Sequence, residues 1–218
     1  MSQHTLTLLR FTYKKLKENL TVSDSKKLFH EQFPYVIPGL YKRIVDEMLV
    51  ELNLLNHQNE FKQDYLFCVG LTETFKELTN GYKPEKHLDL LFESLCSSTN
   101  FEAEEIKKIS TKTQKEFNDK SSKDILNLFK EKSNSKLYPS RVLNLGIYIL
   151  IANSTDFKEK NESEVNEMIS EIFDKLSLSK DKAEKDIGIY KSSILKMKQA
   201  KELIEELRIK DKKKEKNN

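Results

Sequence analysis

The chain has 218 residues, of which 33% are charged and 37% hydrophobic, with five glycines, four prolines and no tryptophan. That length is enough to bury a core, and so few Gly and Pro residues argue against a turn-rich all-β fold. The net charge of +3 lies wholly in the segment from Lys198 onward, where eight bases meet five acids. The remainder is balanced and lacks the broad basic face of a general nucleic-acid-binding domain.

Taken in order, the chain reads as helix after helix. The N-terminus carries no secretory signal, because its apolar cluster, residues 6–9, is far shorter than an h-region and no small-residue cleavage site follows. Ser23 or Asp24 can cap a short helix that must end before Pro34, since proline disfavours helical geometry in the residue ahead of it. Pro38 sits where a first helical turn tolerates it. Leu40, Tyr41, Ile44, Val45, Met48, Leu49, Leu52 and Leu55 then form one stripe of a 3.6-residue helix. Asp64 can cap the next helix, with Tyr65, Cys68, Val69, Thr72, Phe75 and Leu78 inward. Asn80-Gly81 ends it, because glycine enters the left-handed region without steric cost. Pro84 opens another helix, facing inward with Leu88, Leu91, Phe92 and Leu95.

Residues 100–117 make a polar helix held by Ile106, Ile109 and Phe117, and residues 120–132 a short one with Ile125, Leu128 and Phe129. Ser133-Asn134-Ser135 marks a loop. After Pro139 comes the longest apolar run, residues 142–152. It is about half of the roughly 20 residues needed to span a bilayer, so it reads as a helix buried on all sides. A loop over residues 153–161 precedes an amphipathic stripe of Val165, Met168, Ile169, Ile172, Phe173 and Leu176. No stretch alternates apolar and polar long enough to make a strand.

The character changes after Ser179. Ile187, Tyr190, Ile194 and Met197 step by three, four and three, as a coiled-coil seam requires. Lys201 takes the next seam position, and apolar residues continue instead at Ala200, Ile204 and Leu207, a stammer that overwinds the seam. The seam suits a second chain and the protein's own body equally. Residues 210–218 have no apolar side chain to hold them and are expected to fray. The expected organisation is all-α: one multi-helix body over residues 1–178, then a long C-terminal helix over 179–218.

Residues that could carry chemistry are sparse. His30-Glu31 has the start of a zinc-protease motif, but Pro34 stands where the second histidine belongs, and His4, His30, His57 and His87 share no ligand spacing. The glycines never cluster into a phosphate loop, and no serine lies in a nucleophile elbow. Asp46 with Glu47, and Glu102 with Glu104 and Glu105, read as solvated helix faces. Cys68 and Cys96 read as buried thiols suited to a reducing compartment. No cofactor is expected. Tyr41, on the apolar stripe, and Arg43, one of four arginines, stand out. Arginine offers a planar fork for carboxylates, with Asp46 or Glu47 one turn away; an internal ion pair and a docking contact are both open.

The block over residues 22–98 resembles the thylakoid formation family, the photosystem II biogenesis proteins of cyanobacteria and chloroplasts. The resemblance rests on Ser23-Asp24, the helix over 41–55, Asn59-Glu60-Phe61 and Gly81-Tyr82-Lys83-Pro84-Glu85, in that order and spacing, and on a helical finish. Phe33-Pro34-Tyr35 departs from a segment usually more basic in the family. The resemblance implies a non-enzymatic, all-helical accessory factor in photosystem II assembly and repair, peripheral on the cytoplasmic face of the thylakoid membrane and also in the cytoplasm. It implies partners among photosystem II assembly components and FtsH-type membrane proteases. Tyr41, Arg43, Glu47, Gly81, Tyr82 and Pro84 are then fold determinants and docking contacts. A competing reading is a helical RNA-associated protein that uses the basic tail. Nothing in the sequence decides homo-oligomerisation.

Overall fold

A computed structural model describes residues 20–132 and 137–216. The loop expected at Ser133-Asn134-Ser135 therefore lies outside the described residues. Among those described there are nine α-helices, two short 3-10 turns and no strand, so the chain is all-α. The α-helices are α1 (Val22–Gln32), α2 (Gly39–Asn56), α3 (Tyr65–Leu78), α4 (Leu88–Ser97), α5 (Ala103–Phe117), α6 (Ser122–Lys132), α7 (Arg141–Ala152), α8 (Glu162–Lys175) and α9 (Lys180–Lys216). The 3-10 turns are Glu85–His87 and Phe157–Glu159.

Local chemistry sets most of the boundaries. The cap of helix α1 lies two to three residues before the expected Ser23 or Asp24. Thr21 is the cap, its hydroxyl accepting the Asp24 N–H at 3.2 Å, while the Asp24 carboxylate accepts the Thr21 N–H at 3.0 Å. Asp24 is thus the reciprocal partner in a capping box. Asp64 caps α3 as expected, accepting the Phe67 N–H at 2.8 Å. Asn161 and Glu164 form a second capping box at α8. Gly81 has φ 82°, and it lies in the turn after α3, whose last residue is Leu78. The Lys83–Pro84 peptide is cis, and Pro84 precedes the 3-10 turn that leads into α4. Helix α9 continues through residues expected to fray, because its Lys- and Glu-rich end contains good helix formers and no breaker.

The helices pack as two compact units. Of the described residues, the first takes 20–61 together with 83–105. There α1 packs on α2 and α4, and α2 on α4. Phe29, Phe33, Tyr41, Val45, Leu49 and Leu52 form its interior. Buried Asn53 ties α2 to the start of α1, donating to the Ser25 hydroxyl and the Leu20 carbonyl, each at 2.8 Å.

The second unit takes residues 62–82 and 106–218. Helix α7 is buried nearly all round, as its composition requires. So is α3 over residues 66–71, which amphipathic periodicity alone does not anticipate. The two helices make the most extensive pairing of the fold. At their crossing, a Cβ on Gly70 would stand 1.9 Å from the Val142 carbonyl oxygen, and one on Gly146 2.0 Å from that of Leu66. The glycines let the backbones touch. On α5 the buried line is Ile106, Ser110, Thr113 and Phe117, with Ile109 only half-buried. Gln114 bridges Glu73 and Ser110 at 3.1 Å each.

The division does not follow the expected boundary at residue 179. Ala183, Ile187 and Tyr190 of α9 lie in the same core as α7 and α8, so the start of the long helix is an integral part of the second unit.

Candidate functional site

Helix α2 presents the first group of singled-out residues. Tyr41, 4% exposed, faces inward; burial raises the pKa of its hydroxyl, and the Lys83 charge partly offsets that. Arg43 turns outward, 88% exposed, and donates from Nε to Glu47 Oε1 at 2.8 Å. That hydrogen bond and the Glu47 charge raise the pKa of the guanidinium. The internal ion pair therefore exists, yet both side chains remain largely in solvent. Asp46 is engaged elsewhere, 3.8 Å from Lys26.

The Gly81-Tyr82-Lys83-Pro84-Glu85 stretch runs from the turn after α3 into the 3-10 turn before α4. Gly81 supplies the left-handed residue, Tyr82 N–H bonds the Thr79 carbonyl at 2.9 Å, and the Tyr82 side chain is fully buried. Lys83 and Glu85 pair across the turn.

The C-terminal seam divides in two. Ile187, Tyr190 and Met197 are buried, and Ile194 packs against the second unit's core. Ile204 and Leu207 are 42% and 51% exposed. The first four seam positions are therefore satisfied within the chain, and the last two are not. Burial raises the pKa of the Tyr190 phenol, and Glu77, Tyr148 and Glu73 add to the rise. The ring meets that of Tyr148 edge-on at 6.4 Å, and Lys191 lies 5.3 Å from the Tyr148 centroid. Beside the seam, Asn144 donates to Asp186 at 2.8 Å in the interior. Farther along, Lys201 donates to the Asn80 carbonyl at 3.0 Å.

Among the described residues, no three His, Cys, Asp or Glu side chains are grouped to hold a metal. Cys68 and Cys96 are buried free thiols. Two features escape sequence reasoning. Gly70 and Gly146, far apart in sequence, form the helix crossing; each is a lone glycine inside an apolar helix, which is the available signal. The Asn144–Asp186 pair was detectable only as two polar residues within otherwise apolar faces.

What this describes is an all-helical protein whose candidate residues belong to packing and to exposed surfaces. The model of the thylakoid formation protein family matches residues 21–218. A Thf1 protein of Prochlorococcus marinus strain MIT 9312 is 84% identical over 199 residues, covering 91% of this chain and 99% of that protein. One from Synechococcus strain CC9605 is 38% identical over 190 residues, covering 85% and 87%. A solved structure of Psb29 shares the fold with a TM-score of 0.79 at 24% identity, over 90% of this chain and 98% of that one. The chain belongs to the thylakoid formation protein family.

Proposed function

We propose that this protein is a non-enzymatic accessory factor of thylakoid membrane biogenesis, serving photosystem II assembly and repair together with FtsH-type membrane proteases. It works peripherally, on the cytoplasmic face of the thylakoid membrane. The observation that carries this reading is the family match across residues 21–218, nearly the whole chain; the family is named for thylakoid formation and not for a catalysed reaction. Among the described residues, no helix is long and apolar enough to cross a membrane, which fits a peripheral position. The exposed Arg43–Glu47 pair and the exposed end of the α9 seam offer side chains for docking.

Affinity capture of the tagged full chain from gently solubilised thylakoids tests the proposal. The expected result is co-recovery of photosystem II assembly components and an FtsH-type protease. Recovery of neither overturns it. Within that experiment, Arg43→Glu should reduce partner recovery while leaving the thermal midpoint unchanged, because Arg43 is solvated and its ion pair contributes little to folding.

A further inference from the structure

Residues 34–40 read Pro-Tyr-Val-Ile-Pro-Gly-Leu, seven consecutive uncharged residues in a chain that is 33% charged. None of them is buried. Val36 is 92% exposed and Tyr35 46%. The segment nevertheless has a built shape. Pro34 and Pro38 restrict φ near its two ends. Phe33 anchors one end in the interior, and the Tyr35 ring stacks on His87 with centroids 3.8 Å apart and planes 16° apart. Less ordering is therefore left for a binding partner to impose. Pro34 to Ile37 form one side of a cleft of about 300 Å³, whose lining also includes Phe29, Phe33 and Val45 with Lys42 and Asp46.

The surrounding charge is selective. Asp46 is engaged by Lys26, Arg43 by Glu47, and Lys83 by Glu85. Exposed Lys42, Lys86 and Glu31 take part in none of these pairs. The surface is thus an apolar tip with two cations and one carboxylate beside it.

We propose that residues 34–40, with Lys42 and Lys86, form a contact surface for a lipid bilayer containing anionic headgroups. Val36 and Ile37 enter the headgroup–acyl boundary, the Tyr35 hydroxyl sits at the polar level, and the lysines reach the anionic headgroups along their flexible stems. This inference rests on the reading that the protein works at the thylakoid membrane. A bilayer fits better than a protein groove because Val36 protrudes, and deformable lipid accepts a protruding tip that a protein could meet only with a matching pit. The other stretch of exposed apolar side chains, on α9, is less suited. Leu203, Ile204, Leu207 and Ile209 are interspersed with Glu202, Glu205 and Glu206 and with Lys201, Arg208 and Lys210, so no uncharged run there exceeds two residues.

Co-sedimentation of the purified full chain with vesicles tests the proposal, using phosphatidylcholine alone and phosphatidylcholine with a minority of phosphatidylglycerol. The parent chain should bind both, and the second more tightly. Val36→Asp should lower binding to both about tenfold or more, and Val36→Trp should raise it. Lys42→Glu should weaken binding only to vesicles with phosphatidylglycerol, about fivefold or more. No binding by the parent chain, or equal binding by the parent and both Val36 variants, overturns the proposal. If Val36→Asp abolishes recovery of a thylakoid protein while vesicle binding is unchanged, the surface is a protein interface and the proposal fails. Because the vesicles contain no protein, such failures leave the photosystem II reading to be judged by affinity capture alone.

Discussion

Of the helical glycines, Gly70 and Gly146 bear the tightest steric constraint. A methyl group at either would overlap a backbone carbonyl of the facing helix, an atom that cannot rotate away. Gly70→Ala and Gly146→Ala should each destabilise the protein by about 1–3 kcal/mol, the usual cost of overpacking, despite alanine's better helix propensity; denaturant titration measures this. Asn144→Ala would leave the Asp186 carboxylate in the interior without its 2.8 Å donor, at a cost of about 1–3 kcal/mol. The same titration should show Asn144→Ala and Asp186→Ala together losing less than the sum of the two single changes. Asp156 makes stability depend on pH. Burial opposes its ionisation, but the Ser122 hydroxyl at 2.6 Å and the Ser122 N–H at 2.8 Å outweigh burial and hold its pKa below the ordinary 3.8. A lowered native pKa means that the native state binds fewer protons than the unfolded one. This contribution is therefore complete above pH 3.8 and is lost as pH falls below it toward the native value. Ser122→Ala should be destabilising at neutral pH, with a penalty that shrinks in acid, read from the thermal midpoint against pH.

At the scale of elements, α9 changes role along its length. Its start fills the core of the second unit through Ala183, Ile187 and Tyr190, while beyond Lys201 its apolar side chains are exposed. A chain ending at Lys201 should keep the parent's thermal midpoint to within about 2 °C. One ending at Ser179 uncovers side chains worth about 2 kcal/mol each, and its second unit should lose its cooperative transition. Circular dichroism melts of the two truncations decide this. The seam periodicity made the helix legible in the sequence, but periodicity is the same whether the facing surface belongs to this chain or to another. Helix α7 was legible outright, since a run apolar but for Asn144 and too short for a bilayer has to be buried. Its partner α3 was read as amphipathic, because the lone Gly70 in it does not reveal the backbone it must meet.

Across the whole molecule, the chain visits its two units in alternation, residues 62–82 belonging with the C-terminal part and 83–105 with the N-terminal part. Protection of amides should follow burial rather than position in the sequence. Hydrogen exchange is expected to be slowest in α3 and α7, and fastest among the helical residues at 202–207, where the side chains face solvent. Rapid exchange in α7 would contradict the packing described for that unit. The sequence by itself determined the helical class, most helix positions, and family membership through the block over residues 22–98. The first two depend on local propensity, capping and periodicity, which are written in neighbouring residues, and the third on a resemblance in the order and spacing of motifs. Tertiary structure alone decided that Gly70 meets Gly146, that Asn144 holds Asp186, that the start of α9 packs on its own chain, and that residues 34–40 stay uncovered. Each of these depends on which distant surfaces meet, and a single chain's local pattern does not encode that pairing.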